Sequence, residues 1–234
     1  MNKYLILLVL LLAVTGCKRT TIVSDSILLL TPEELKNKVV QTGNASVYRS
    51  EIYPGTTVMT NPMFTKSYNE SNKTLGIPDA VILSFGTNEG RALEYPIEDF
   101  IKVLDMRIMQ LVDRGARCFV FLESTHFGGM ERGQDDVSAD RTDTWFEHIN
   151  SLEGDHTYFN RPYSVRVADI QETINSDKVR FTRDTVHLTV EGSDVAHDEI
   201  VRQLETCPSG RWSNGQSLKA GETIAQPLHV EMIK

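Results

Sequence analysis

The chain is short of positive charge. Its 24 lysines and arginines stand against 32 aspartates and glutamates, a formal net charge of −8. Proteins that hold nucleic acid ordinarily present a basic face, so nucleic acid is excluded as the expected partner. Long hydrophobic runs are missing too: the longest, Tyr4 to Val14, is about half of the ~20 residues needed to span a bilayer. There is no internal repeat and no low-complexity block, which removes solenoid and array architectures. Cysteine is scarce, with only Cys17, Cys118 and Cys207. What is present is ordinary: 40% hydrophobic and 24% charged residues describe a soluble globular protein. A length of 234 residues allows one large domain with a real core, or two small ones.

The N-terminus, MNKYLILLVLLLAVTGC, has a basic start at Lys3, a short apolar run and small residues before Cys17. That order is an export signal rather than a transmembrane helix. Val14-Thr15-Gly16-Cys17 resembles the lipobox of bacterial lipoproteins. The resemblance implies a signal peptide over 1–16, cleavage before Cys17, lipid on its thiol, and an anchored N-terminus over 17–19. The expected location is the outer face of the bacterial cytoplasmic membrane, or the medium if the signal is a plain secretory one. Several acyl chains at ~0.8 kcal/mol per buried methylene hold a protein on a membrane where one chain does not. Outside the reducing cytoplasm, Cys118 and Cys207 form an even pair suited to a disulfide, with two buried free thiols as the alternative.

Beyond the signal, apolar runs alternate with helical patterns. Candidate strands are Thr20–Ser24, Ala45–Arg49, Ala80–Phe85, Arg117–Leu122 and Ser164–Ala168. Consecutive apolar residues, as in AVILSF and CFVFL, mark strands buried on both faces. TPEELKNKVV predicts a helix with Thr31 as N-cap, Pro32 in the first turn and Glu34 completing a capping box. PIEDFIKVLDMRIMQLVDRG predicts a second helix ending at Gly115, and RTDTWFEHINSLEG and TVEGSDVAHDEIVRQLETC two more. Alternation of this kind predicts right-handed crossovers and one three-layer α/β/α domain over 20–207, with a central parallel sheet of about five strands. Residues 123–140 are expected to form a long polar loop and 208–234 a flexible tail.

Ligands of open parallel sheets collect outside the carboxyl ends of the strands. The first strand is followed there by Ser24-Asp25-Ser26, the second by YPGTTV with Gly55, and the third by SFGTNEG with Asn88. TRDTVHLTVEG adds Asp184 and His187 just before the last helix. A serine, a histidine and an aspartate are the parts of nucleophilic acyl transfer: the imidazole takes the hydroxyl proton and the carboxylate fixes its tautomer. Separately these residues read as a turn serine, a turn asparagine and a core histidine; together they read as a site. Glu123, His126, His148 and His156 have no zinc-like spacing, so no metal and no cofactor is expected. Phe127, Met130 and Trp145 line either the substrate groove or the core.

VSDSILL, YPGTTV, SFGTNE and DTVHLTVEG resemble the four blocks of the SGNH (GDSL-type) hydrolases, and the layout is similar to exported actinobacterial members. The resemblance spans most of 20–207 and implies the flavodoxin-like SGNH hydrolase fold. It implies Ser26 as nucleophile, His187 as base and Asp184 as its orienting carboxylate. An oxyanion hole of the Ser26 and Gly55 N–H groups and the Asn88 amide follows from the same source. Two positions depart from the pattern: Ser24 stands where the family has glycine, which is expected to distort the nucleophile loop, and Glu89 where it has aspartate. The expected activity is a serine esterase or acyl-hydrolase at the cell surface, acting on a small ester or an acylated glycan or lipid. Acyl transfer to a sugar hydroxyl and a non-catalytic envelope binding module are the alternatives. With two residues between Cys17 and the first strand, the domain is expected to sit against the membrane with its catalytic edge facing away.

Overall fold

A computed structural model of the chain describes residues 19–28, 31–42, 47–65, 78–123, 136–184 and 186–208. The signal and Cys17, His126, Phe127, Met130 and most of the C-terminal tail lie outside the described residues. Six strands form one sheet: β1 (Arg19–Ser24), β2 (Val47–Ile52), β3 (Ala80–Ser84), β4 (Cys118–Glu123), β5 (Gly154–Tyr158) and β6 (Arg161–Asp169). Their order is β2-β1-β3-β4-β6-β5. Every pairing is parallel except β5 with β6, an antiparallel hairpin at the sheet edge. The sheet therefore has one strand more than the sequence reading expected. GDHTY carries no apolar run, because an edge strand packed on one side alternates half-buried and exposed residues instead.

The three central strands β1, β3 and β4 are buried on both faces, and side chains leave them alternately to two cores. Ile22, Ile82 and Val120 enter one core with Leu35 and Val39 of α1 (Pro32–Gln41) and Ile200 and Leu204 of α8 (Val190–Glu205). Val23, Val81, Leu83, Phe119 and Phe121 enter the other, with Phe100 and Leu104 of α4 (Ile97–Arg114) and Trp145 and Phe146 of α5 (Asp136–Ser151). Helices thus cover both faces, giving three layers. Four short helices complete the described chain: α2 (Pro62–Thr65), α3 (Thr87–Arg91), α6 (Gln171–Ser176) and α7 (Lys178–Phe181). Each holds no more than six residues, too few for a helical period to show in sequence.

Two local expectations are corrected. Thr31 is the N-cap of α1, yet its side chain makes no cap hydrogen bond; its Oγ1 lies 3.2 Å from His197 Nε2 on α8 instead. Residues 136–140, expected as loop, form the first turns of α5. Cys118, at the start of β4, is disulfide-bonded to Cys207, just beyond the end of α8. The bond ties that helix to the amino-terminal edge of the sheet.

Candidate active site

β1 ends at Ser24, but the ladder continues one step: Asp25 N–H donates to the Ser84 carbonyl (3.1 Å) and Tyr53 N–H to that of Ser24 (3.0 Å). Ser26 is then released from the sheet and sits half-buried at its carboxyl edge. Ser24 and Asp25 are fully buried. Ser24 does not adopt the left-handed backbone, which among non-glycine described residues is confined to Phe159 and Asn160. Its hydroxyl donates to the Asp25 carbonyl (3.2 Å). The absent glycine therefore costs no left-handed conformation at this position.

The segment before α8 returns to the same edge. Thr182 and Leu188 form an isolated bridge, and Arg183 N–H donates to the His187 carbonyl (2.8 Å). Inside this turn Asp184 Oδ1 accepts from the N–H groups of His187 (2.7 Å) and Val186 (3.2 Å), while Oδ2 lies 2.7 Å from His187 Nδ1. A carboxylate only accepts, so Nδ1 carries the ring hydrogen and Nε2 is left as acceptor. Ser26 Oγ lies 3.0 Å from that Nε2. Burial raises the Asp184 carboxyl, but the hydrogen bonds from His187 and Val186 outweigh it and hold the pKa below its ordinary value.

Gly55 occupies the third position of the turn Tyr53-Pro54-Gly55-Thr56, with φ 72°. Proline followed by a left-handed glycine is the type II pattern. Asn88, in the first turn of α3, donates through Nδ2 to the Thr56 carbonyl (2.9 Å) and to Asp25 Oδ2 (3.3 Å). The amide thus links the Gly55 turn to the serine loop, and its longer bond is the more readily exchanged. Gly86, before α3, is pressed against Trp145: a Cβ there would lie 2.9 Å from the indole Cδ1. Trp145 itself is buried, donating from Nε1 to the Phe85 carbonyl (3.1 Å), so it belongs to the core and not to a groove.

Three supporting residues show their role only through their partners. Glu89 is fully buried and accepts from Val58 N–H and Gly86 N–H, each at 2.7 Å. Asn61, also fully buried, reaches Thr56 Oγ1 (3.3 Å) and accepts from Met63 N–H (2.9 Å). Arg141 of α5 donates to the carbonyls of Glu89, Gly90, Ala92 and Tyr95, closing the end of α3. An arginine and a glutamate usually read as solvated surface; only their partners show otherwise.

Residues 1–17 match the family described as the prokaryotic membrane lipoprotein lipid attachment site. No curated protein matches in sequence. A lipase/acylhydrolase from Enterococcus faecalis superimposes with TM-score 0.58 at 13% identity, covering 83% of this chain and 100% of that one. A candidate SGNH hydrolase from Slackia heliotrinireducens gives 0.58 at 13%, covering 81% and 100%. The chain carries the SGNH-hydrolase fold. A carbohydrate esterase family 3 protein from Talaromyces cellulolyticus shares it, with TM-score 0.57 at 14% identity over 80% of this chain and 96% of that one.

Within this SGNH-hydrolase fold, His148, His156 and Glu123, three of the four residues weighed as metal ligands, have protein partners, while His126 lies outside the described residues. His148 Nε2 lies 2.8 Å from Asp105 Oδ1, His156 Nε2 2.6 Å from the Leu152 carbonyl, and Glu123 Oε2 accepts from Asn150 (3.0 Å). Among the described residues one group of candidate ligands does come together: Glu34, Asp194 and His197, their ligand atoms within 4.8 Å. Lys38 occupies Asp194 at 3.2 Å, so a cation there would have to displace an ammonium. None of the three stands out as a ligand in the sequence, where Glu34 reads as a capping residue and the other two lie on a different helix.

The buried carboxyls predict an unusual pH response. Asp25 is pushed up to about 8, chiefly by burial, with the Ile27 N–H pulling it back and the Glu89 charge raising it again. Glu89 is pushed up to about 7 by burial, against the N–H groups of Val58 and Gly86. Groups whose folded pKa exceeds the unfolded value bind more protons in the native state, so they lose stabilisation as pH rises toward the folded pKa. His197 is displaced the other way, lowered from 6.5 to about 4, and contributes only below 6.5. The urea midpoint should therefore fall between pH 6.5 and 8, and Asp25→Asn should flatten that slope. An equal slope in the variant would remove Asp25 as its source.

Proposed function

We propose that this protein is a lipid-anchored serine esterase of the cell envelope, cleaving a carboxylic ester through an acyl-enzyme. The reading rests on one observation: the continuous relay from Ser26 Oγ to His187 Nε2 (3.0 Å) and from His187 Nδ1 to Asp184 Oδ2 (2.7 Å). His187 Nε2 takes the Ser26 proton as Oγ attacks the ester carbonyl, and Asp184 steadies the imidazolium that forms. Charge then develops on the carbonyl oxygen. The N–H groups of Ser26 and Gly55 and the Asn88 amide are the donors assigned to it, Asn88 turning its weaker bond from Asp25 toward the oxyanion. His187 returns the proton to the departing alkoxide, which leaves as alcohol. A water, deprotonated by the same nitrogen, hydrolyses the acyl-Ser26 ester and restores the hydroxyl.

Supporting this reading, the structures that share the fold include proteins named for lipase, acylhydrolase and carbohydrate esterase activity. The matched attachment site supports a lipoprotein at the cell envelope. The test is turnover of p-nitrophenyl esters of increasing acyl length by the purified chain. Release of p-nitrophenol at many equivalents per protein supports an esterase. Retention of acetylated glycan without any turnover would support the binding-module alternative.

A further inference from the structure

The β5–β6 hairpin turns through Phe159 and Asn160, both in the left-handed backbone region, with φ of 45° and 61°. Two such residues make the tight hairpin turn that asparagine and glycine favour; a phenylalanine there is held against its conformational preference. Its side chain is also 65% exposed, the one phenylalanine among the exposed large hydrophobics of the described residues. It stacks only edge-on against Tyr158, with ring centroids 4.6 Å apart. Neither backbone comfort nor core packing accounts for an aromatic at this corner.

The corner's position suggests what does. β6 begins at Arg161, so the turn projects from the amino-terminal edge of the sheet, opposite Ser26. Thr20 of β1 is level with Ala80, Ala80 with Cys118, and Cys118 with Ser164. On that register Arg161 stands three residues beyond the level of Thr20. Cys17, where the matched lipid attachment site ends, precedes Thr20 by the same three residues, about 10 Å of extended chain. Arg161, the one cation in the turn's flank, is neutralised by Asp113 at 3.0 Å, so no unpaired charge there opposes contact with lipid.

We infer that the hairpin tip is a second membrane contact, with Phe159, braced by the core-packed Tyr158, inserting into the interface of the bilayer that holds Cys17. Aromatic rings are the side chains suited to that depth. Each strand turns about 20–25° from its neighbour, so β6 leans from β1 by roughly 60–75° over three steps. Both contacts are made when the domain tilts toward its β5 edge. The serine edge then faces away from the anchoring leaflet. This inference rests on the lipid anchor and the hairpin and not on the proposed chemistry, so the two stand or fall separately.

The test uses the full lipidated protein in phosphatidylcholine vesicles. Phe159→Trp places a fluorophore at the tip, and Val179→Trp places one at a 91% exposed position on α7, beyond the carboxyl end of β6. On replacing the lipid with its dibrominated form, the emission gained by Phe159→Trp should be quenched to the level of the parent protein. That gained by Val179→Trp should persist. If Phe159→Trp does not fold, Tyr158→Trp takes the same reading. Unquenched emission at the tip, or quenching at Val179→Trp as strong as at the tip, would overturn the inference.

Discussion

Ser26→Ala should reduce turnover of p-nitrophenyl acetate by about 10⁴–10⁶-fold, the scale on which a serine hydrolase loses its nucleophile. The melting temperature should stay close to that of the parent, because Ser26 is half-buried and its hydroxyl bonds only to the His187 ring among the described groups. His187→Ala should cost a similar factor, and the double variant little more than either single one, because the two act as a unit. Asp184→Asn is the more discriminating change. Its amide nitrogen can present a donor to His187 Nδ1, which drives the ring hydrogen to Nε2 and leaves Ser26 facing a donor. A loss of about 10²–10⁴-fold is expected. If Asp184→Asn keeps full activity, the carboxylate is not the orienting group. Initial rates at saturating ester separate these cases.

Removing the disulfide should have the largest effect on stability. Cys118 and Cys207 close a loop with a sequence separation of 89, for which chain entropy assigns roughly 4–5 kcal/mol, with about 2–4 commonly measured. Both sulfur positions are buried, at 2% and 7% exposure, so the double alanine variant also leaves a small void in the core shared by Ile22, Ala80 and Leu204. In a domain of this size 1 kcal/mol moves Tm by about 2–4 °C, and a fall of roughly 5–15 °C is expected by calorimetry. Esterase turnover at 25 °C should persist, since the bond lies at the amino-terminal edge and Ser26 at the carboxyl edge. Unchanged melting would mean that packing of α8 alone holds the helix on the sheet.

The layered architecture could be read from the chain because central strands bury both faces and so write continuous apolar runs: AVILS and CFVFLE are buried at every position. β5 could not, since an edge strand has one solvated face and its sequence, GDHTY, reads as turn. The capping box at Thr31 was a sound local signal overridden by a distant partner: His197, on another helix, takes the hydroxyl. The positions of Ser26, Asn88, Asp184 and His187 were legible because each follows a strand or precedes the last helix. The burial of Asp25 and Glu89 was not, because isolated acidic residues most often face solvent. Only the fold reveals that they sit beneath the site, holding backbone N–H groups. Ser24 shows the limit of reading a family pattern by residue type: glycine was expected for its backbone freedom, and the backbone here does not use it.

Ester cleavage by this chain requires above all that Ser26 be an activated nucleophile. A fluorophosphonate probe followed by peptide mass mapping measures that on the unaltered protein. The expected result is a single covalent adduct on Ser26, slowed strongly in His187→Ala and absent in Ser26→Ala. A protein that turns over esters while its adduct maps to another residue, or that remains unlabelled at Ser26 with the fold intact, would contradict it.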